Sequence, residues 1–215
     1  MNEPILTPEP AATPAAPKPA KKKKTIGAIL FDYVEMFAWS VLVVLLIFTF
    51  GFRLCQVDGP SMENTLHNGE RLLLQSAGYS PRQDDIVVFH LTEPEKNLEK
   101  VLVKRVIATG GQTVEIDTNT GTITVDGKEY ADTHSALKDA SSGENAGRYY
   151  TSLFGYGLDR TTGIFRATVP EGYLFVMGDN RNNSKDSRNP DVGFVDERCV
   201  LGRVVLRLSP FTIFN

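Results

Sequence analysis

A 17-residue run without a charged side chain, "MFAWSVLVVLLIFTFGF" at residues 36–52, constrains this chain more than any other feature. A bilayer core about 30 Å thick needs roughly 20 helical residues, with about 17 as the lower limit. The preceding "TIGAILFDYVE" extends the helix and places Asp32 and Glu35 at the membrane interface. A buried core helix is the alternative, but its usual apolar length is only about 10 to 14 residues. The sequence therefore predicts one transmembrane helix within residues 25–53.

A cleavable signal peptide would need small residues at a processing site after the apolar run. The exit from the run reads "FRLCQVDG", with bulky side chains at those positions. Leu54 before Cys55 is also a poor match to a lipoprotein signal. An uncleaved anchor is therefore the favoured interpretation.

The first 24 residues are mostly Pro, Ala and Lys and contain no aromatic residue, which predicts a disordered tail. A lysine cluster at residues 21–24 precedes the apolar run, whereas Arg53 alone follows it closely. By the positive-inside rule, the tail is cytoplasmic and residues 54–215 lie outside the cytoplasmic membrane.

The charge balance argues against a nucleic-acid partner. The chain has 23 basic and 26 acidic residues, and from Thr25 onward 18 basic and 24 acidic residues remain. Binding to phosphates needs a basic surface, which this body lacks. The two cysteines, Cys55 and Cys199, are too few for a four-cysteine zinc site or a disulfide-rich scaffold. A single disulfide bridge between them is possible, although nothing favours it. We expect no metal and no cofactor.

The body after the apolar run has the pattern of a β protein. Short runs rich in Val, Ile, Leu and Thr alternate with turn residues, which favours strands. Asp126-Gly127 is a strong hairpin signal. The segment 131–167 is polar and irregular, and we interpret it as an inserted loop or small subdomain. We predict a mostly β domain, barrel or sandwich, with strands in residues 70–75, 84–91, 100–109, 113–117, 121–130, 172–179 and 199–208.

Ser61 lies in "VDGPSMENTLHNGE", residues 57–70, where a serine is most often an ordinary turn residue. A catalytic serine needs a base, and none of the three histidines, His67, His90 and His134, stands out with a well-placed aspartate. The G-x-S-x-G pattern is also absent. A lysine is the remaining candidate, because Ser-Lys pairs are known variants of the triad.

Lys104 lies in "VLVKRVIATGG", residues 101–111. Side chains alternate between the two faces of a strand, so Lys104 and Arg105 point to opposite faces and one of them must lie among apolar side chains. Burial disfavours an ammonium, and a lysine can lose its proton whereas an arginine cannot. A neutral amine would accept a proton from a serine hydroxyl. The alternative is a lysine that extends to solvent at a strand end.

The segment "GDNRNNSKDSR", residues 178–188, is called the GDN loop here. It follows a predicted strand and is rich in turn-forming and charged residues. The EF-hand spacing for calcium is absent. A solvated polar loop is the alternative to a group of residues that orients a base. The candidates for that role are Asp179, Asn180, Ser184, Asp186 and Arg188.

Together these segments resemble the bacterial type I signal peptidases. "GPSMENTL" (59–66) is similar to the serine motif of that family, and "RQDDIVVFH" (82–90) to its Arg-x-x-Asp-Ile-Val strand. "KRVIATGGQTV" (104–114) is similar to its lysine motif, and the GDN loop to its Gly-Asp-Asn-Arg motif. The four motifs occur in the order of the family, behind an N-terminal anchor.

The resemblance implies the roles of single residues. Ser61 would be the nucleophile, and its backbone N–H would bind the oxyanion. Lys104 would be the general base, and Ser184 would hydrogen-bond its amine. Asp186 and Arg188 would form a supporting ion pair, and Asp179 would hold the loop.

The resemblance also implies the architecture and the substrates. Met62 and the strand around Ile86 would line pockets for small side chains. The fold would be a large antiparallel β structure with a hydrophobic face on the membrane. The partners would be the lipid bilayer and secreted pre-proteins, from which the protein would remove signal peptides.

Two positions depart from the family pattern. Asn64 stands where the family usually has proline, which makes the turn less rigid. Gly59 stands where some members have a serine whose hydroxyl helps to bind the oxyanion, so the site would depend mainly on the Ser61 N–H.

Two other functions fit parts of the sequence. A self-cleaving Ser-Lys protease of the repressor type is one alternative. Such proteins lack a membrane span and carry a DNA-binding domain, and this sequence shows neither feature. A membrane-tethered β domain that binds export partners without catalysis is the alternative from another class.

Overall fold

The computed structural model describes residues 25–93, 98–134, 157–181 and 183–214. The predicted disordered tail, residues 1–24, lies outside the described residues, as do residues 135–156 of the predicted insertion. The chain divides into two compact units, Met1–Val43 and Val44–Asn215.

Helix α1 covers Ile26–Gly51. Its stretch Ile29–Gly51 has a mean hydropathy of 2.1 and none of it is buried, so in the described part of the chain it is the one helix long and apolar enough to cross a membrane. This helix fits a membrane-anchored protein. It ends two residues before the predicted boundary at residue 53, because Phe52–Gln56 forms a strand that pairs with Arg71–Gln75.

The first sheet contains eight strands in the order β1-β2-β12-β3-β4-β10-β11, with β13 paired to β12. Each predicted strand run from residues 70–75, 84–91, 100–109, 172–179 and 199–208 contributes to it. The bounds are β1 Phe52–Gln56, β2 Arg71–Gln75, β3 Ile86–Glu93, β4 Leu98–Thr109, β10 Tyr173–Met177, β11 Val195–Asp196, β12 Val200–Leu208 and β13 Phe211–Ile213.

The second sheet has five strands in the order β7-β6-β5-β9-β8. The predicted hairpin is confirmed, since Asp126 and Gly127 have φ angles of 51° and 73°, which fit the left-handed positions of a type I′ turn. The bounds are β5 Thr113–Asp117, β6 Ile123–Val125, β7 Lys128–Glu129, β8 Leu158–Asp159 and β9 Ile164–Thr168.

The prediction of an irregular segment over 131–167 is wrong for its last part. Residues 158–159 form β8, and β9 starts at residue 164. β9 pairs with β5 and places Phe165 in the core, fully buried. The sequence did not predict β9 because its alternation of apolar and polar residues is short and lies among glycines and threonines.

A shared apolar core joins the two sheets. Ile107 of β4 and Phe175 of β10 pack in one buried cluster with Val114 of β5 and Phe165 of β9. Every described strand pair is antiparallel. The predicted fold class, a mostly β antiparallel structure after one N-terminal apolar helix, is confirmed.

One face of the first sheet is apolar and exposed. Leu54, Leu73, Leu206 and Ile213 are direct neighbours in register across β1, β2, β12 and β13, and therefore share a face. Leu54 is 71% exposed and Ile213 is 63% exposed. Phe211, 69% exposed, lies two residues before Ile213 on the same face. We call these residues the apolar sheet face.

Candidate active site

Ser61 and Lys104 meet although 42 residues separate them in the sequence. Ser61 lies in the turn between β1 and β2, and Lys104 lies in the middle of β4. Lys104 Nζ is 2.6 Å from Ser61 Oγ and donates a hydrogen bond to the Val103 carbonyl oxygen at 2.8 Å. A separation of 2.6 Å is that of a short hydrogen bond, close enough for proton transfer.

The burial of Lys104 changes its acidity. Only 1% of the residue is exposed, so it does not extend to solvent. Loss of water around the ammonium is the main cause that lowers the pKa of Lys104 to about 8. Asp186 and Asp179 act in the opposite direction, whereas Arg188 lowers the pKa further. A substantial share of the amine is therefore neutral near pH 8.

Arg105 is buried as well, so both of the neighbouring cations lie inside the protein, one more than the alternation of side chains requires. It is 4% exposed. Its Nε and Nη2 donate to the two carboxylate oxygens of Asp179 at 2.9 and 2.7 Å, and Nη1 donates to the Asp84 carbonyl oxygen at 2.8 Å. A paired, hydrogen-bonded guanidinium can stay charged inside a protein, so both faces of β4 carry a buried cation.

Asp179 connects the serine turn to β4. Besides Arg105, its carboxylate accepts a hydrogen bond from Thr65 Oγ1 at 2.5 Å. The next residue, Asn180, donates its backbone N–H to the Ser61 carbonyl oxygen at 3.1 Å and its Nδ2 to the Pro60 carbonyl oxygen at 3.1 Å. These contacts rule out a merely solvated polar loop, because the GDN loop holds the backbone of the serine turn.

Asp186 and Arg188 form a buried ion pair. Arg188 Nε and Nη2 each lie 2.7 Å from an Asp186 carboxylate oxygen, and the Gly178 N–H donates to Asp186 at 2.9 Å. Burial alone would raise the pKa of Asp186, but the Arg188 charge and these hydrogen bonds hold it below its ordinary value. The predicted pair is thus present in the geometry.

Ser184 does not make the predicted hydrogen bond to the lysine amine. Its Oγ is buried and makes no hydrogen bond to Lys104; no described residue has full hydrogen-bond geometry with it, although it lies near enough to the Asp186 carboxylate to help lower the pKa of that group. The hydroxyl lies against Gly178 instead. Besides its contact with Ser61, the Lys104 amine donates its hydrogen bond to the Val103 carbonyl oxygen instead.

Gly178 is a residue of the site that the sequence reasoning did not single out. A Cβ at this position would overlap both the Ser184 hydroxyl and the Ser61 carbonyl oxygen. Only glycine lets the GDN loop approach the serine turn this closely. Its place directly after an apolar strand was the available signal.

A cleft of about 340 Å³ opens beside Ser61 and Lys104. Met62 lines it, as expected from the resemblance, but Ile86 does not. Ile86 pairs with Arg105, beyond the lysine, and its side chain packs in the buried cluster with Leu66 and Leu72. The walls of the cleft are residues 55–58 and 101–104, with Met62 and Ser61.

The backbone around Ser61 is shaped by left-handed residues. Gly59 has a φ of 98°, and its N–H donates to Asn68 Oδ1 at 2.9 Å. Asn64 has a φ of 82°, a value that proline cannot adopt. The Ser61 N–H makes no hydrogen bond with the described residues, which leaves it available to a ligand.

The described histidines and the two cysteines make no hydrogen bond with the Ser61–Lys104 pair. His67 contacts Glu70, with 3.6 Å between Nδ1 and Oε1, and no histidine contacts Ser61 in the described ranges. Cys55 and Cys199 are free thiols. Cys55 lines the cleft, and burial raises its pKa. The described part of the chain contains no group of three or more His, Cys, Asp or Glu side chains that could hold a metal ion.

The sequence pattern of the family described as "Signal peptidase, peptidase S26" matches residues 30–209. The chain belongs to this family. It is therefore a hydrolase of the signal peptidase type, and the resemblance found in its four motifs is confirmed.

Individual signal peptidases are similar to this chain over most of their length. The signal peptidase I of Bacillus licheniformis is 34% identical over 186 residues, which cover 85% of this chain and 90% of the relative. The signal peptidase I T of Bacillus subtilis is 33% identical, with 90% and 91% covered. A solved structure of a signal peptidase I from Enterococcus faecalis is 27% identical, with a TM-score of 0.35, and covers 59% of this chain and 97% of that one.

Proposed function

We propose that this protein removes signal peptides from secreted pre-proteins with Ser61 as the nucleophile and Lys104 as the general base. The observation that carries the proposal is the 2.6 Å separation between the buried amine and the hydroxyl. Membership in the signal peptidase family and the lowered pKa of Lys104 support the same roles.

The reaction follows from this pair. Neutral Lys104 accepts the proton of the Ser61 hydroxyl while Oγ attacks the carbonyl carbon of the scissile peptide. The Ser61 N–H donates to the oxyanion that forms. The ammonium of Lys104 gives its proton to the leaving amine, which departs as the new N-terminus of the mature protein. Lys104 then activates a water molecule that hydrolyses the acyl-enzyme and restores Ser61.

The cleft accounts for a preference for small side chains next to the cut. Its walls, residues 55–58 and 101–104, approach Ser61 from two strands. An extended peptide between them would direct every second side chain toward Met62 and Val103. A cleft of about 340 Å³ shared by several substrate residues favours alanine-sized groups.

We further propose that residues 25–53 anchor the protein in the cytoplasmic membrane, with the tail (1–24) in the cytoplasm and the catalytic domain (54–215) outside. The apolar helix and the lysine cluster at 21–24 support this orientation. The exposed apolar sheet face supports contact of the domain with lipid, because a soluble domain rarely leaves such a patch uncovered.

The first prediction is that Ser61→Ala and Lys104→Ala each abolish cleavage of a pre-protein in detergent or lipid while the fold is retained. The first variant lacks the nucleophile, and the second lacks the base. Cleavage is followed by the mobility of the mature product, and circular dichroism monitors folding. The matched controls Ser80→Ala and Lys128→Ala alter exposed residues outside the cleft and keep full activity.

Full activity in Ser61→Ala or Lys104→Ala would contradict the assigned roles. The alternative of a tethered export-binding domain without catalysis predicts that the wild-type protein itself leaves the pre-protein intact.

A further inference from the structure

The segment that follows β7 reaches the catalytic scaffold at two points. Tyr130 donates its hydroxyl to the Asp84 carboxylate, and the Asp84 carbonyl oxygen accepts a hydrogen bond from Arg105. Two residues further along, the Asp132 carboxylate pairs with Arg181, with 3.0 Å between Oδ1 and Nη2. Neither the cleft nor the Ser61–Lys104 pair includes Asp132.

Arg181, itself a residue of the GDN loop, connects Asp132 to Gly178 at the start of that loop. It is 1% exposed, and its Nε donates to the Gly178 carbonyl oxygen at 3.0 Å. Gly178 in turn lies against the Ser61 carbonyl oxygen with no space for a side chain. One chain of contacts thus runs from Asp132 through Arg181 and Gly178 to the backbone of the nucleophile.

The charge on Asp132 keeps Arg181 in place. A guanidinium stays protonated in proteins, and a buried one needs a carboxylate nearby. Without that charge, Arg181 has to turn toward water to regain solvation. The hydrogen bond to Gly178 is then lost, and the tight contact between Gly178 and Ser61 loosens.

We propose that Asp132 is a positioning residue, which acts through Arg181 and Gly178 to keep the Ser61 hydroxyl within reach of the Lys104 amine. This inference rests on the proposed Ser61–Lys104 chemistry and deepens it. It gives a function in catalysis to the segment that leaves the second sheet, since Asp132 lies three residues after the end of β7. A displacement of about 1 Å at a reacting group can cost on the order of 100-fold in rate.

The test compares Asp132→Asn with Glu129→Gln in the full-length protein. Both changes remove one carboxylate charge from the same segment, but Glu129 is exposed and lies on β7. We expect Asp132→Asn to lower kcat for pre-protein cleavage by about tenfold or more, with KM within about twofold, because the cleft is unchanged. Glu129→Gln keeps the wild-type kcat. An unchanged kcat in Asp132→Asn overturns the proposal.

A double-mutant cycle tests whether the effect passes through Arg181. Arg181→Gln alone should lower kcat about as much as Asp132→Asn does. Once Arg181 is replaced, the second substitution should cost less than about twofold more. Fully multiplied losses in the double variant would show that Asp132 acts by another route, and would overturn the proposal.

The pH profile separates positioning from a general loosening of the domain. Positioning leaves Lys104 buried, so the plateau rate falls while the pH midpoint stays at its wild-type value. A midpoint shifted to higher pH would mean that water has reached Lys104, which overturns the proposal. If Asp132→Asn does not fold, Asp132→Glu, which keeps the charge but moves it, must show the same loss of kcat at an unchanged midpoint.

The inference can fail while the proposed function stands. Loss of cleavage in Ser61→Ala and Lys104→Ala, together with full activity in Asp132→Asn, would reject only the role of Asp132. Activity in Ser61→Ala or Lys104→Ala would reject the proposed function itself.

Discussion

Lys104 combines two properties that oppose each other, a titratable amine and almost complete burial. The buried amine loses water that would stabilise its charged form, and the neighbouring carboxylates Asp186 and Asp179 only partly replace that water. The like charge of Arg188 lowers the pKa of Lys104 further. The result is a base whose pKa of about 8 lies much closer to neutrality than the ordinary value of about 10.4 for lysine.

The pH dependence of cleavage follows from this pKa. The reactive form of Lys104 is the neutral amine, so kcat/KM should rise with pH, pass its midpoint near pH 8 and level off above it. At pH 6 the rate should be roughly 100-fold below the plateau, because each unit below the pKa reduces the neutral fraction about tenfold. Initial rates from pH 5 to 10 measure this. An acidic optimum, or a midpoint near 10, would be incompatible with a buried neutral base.

The same burial should cost stability. The folded pKa is lowered, so between about pH 8 and 10.4 the unfolded chain binds more protons and stability rises with pH. Replacing the amine with an apolar group of similar length, Lys104→Met, should therefore stabilise the domain below pH 8, by up to about 3 kcal/mol. This gain should vanish above about pH 10.4. Thermal unfolding at pH 7 and pH 10.5 provides the comparison, and a gain that does not depend on pH would argue against a buried charge.

At the scale of elements, the serine turn owes its shape to backbone angles that few residues adopt. Asn64, with a φ of 82°, lies three residues after Ser61. Asn64→Pro should lower both activity and stability, by more than about 1 kcal/mol in the latter, because proline is fixed near a φ of −65°. Asn64→Gly should keep both. Unfolding in urea and pre-protein cleavage are the measurements.

The outcome for proline at this position is informative because the family usually carries proline there. Wild-type activity in Asn64→Pro would mean that the turn adopts a second backbone conformation in which residue 64 has a negative φ.

Five of the eight strands of the first sheet, β2, β3, β4, β10 and β12, could be predicted because their runs of Val, Ile and Leu are bounded by turn residues. β1 was missed for a physical reason: its Phe52 continues the apolar run of the helix, and only pairing with β2 makes it a strand. β8 and β13 are two and three residues long, too short for an alternation to be visible. Their existence depends on tertiary pairing.

The sequence predicted which residues form the candidate site, but not all of the contacts that they make. Ser61 and Lys104 were found from motifs, and the structure brings them together. The burial of Arg105 depends on a carboxylate 74 residues away, which alternation along one strand does not reveal. The missing Ser184 contact and the placement of Ile86 behind the cleft depend on side-chain packing, which spacing does not determine.

At the scale of the whole molecule, the apolar sheet face offers a test of membrane contact. Phe211→Glu and Ile213→Glu should each lower the cleavage of a pre-protein embedded in vesicles by about tenfold, because a carboxylate is costly to bring into lipid. Cleavage of a water-soluble peptide in detergent should not change, since neither residue lines the cleft. The control Lys128→Glu alters an exposed residue of β7 in the second sheet. Equal losses with both substrates would point to damage at the site instead.

The carboxylate of Asp179 binds Thr65 of the serine turn and Arg105 of β4 at once, and these partners lie 114 and 74 residues away in the chain. Three segments that lie far apart in the sequence therefore have to stay compatible with one another. A chimera whose serine turn has no hydroxyl at position 65 would remove one of the two donors to Asp179 Oδ2 and leave that oxygen with Arg105 Nη2 alone. Recombination between relatives should tolerate crossovers only where Thr65, Arg105 and Asp179 keep compatible partners.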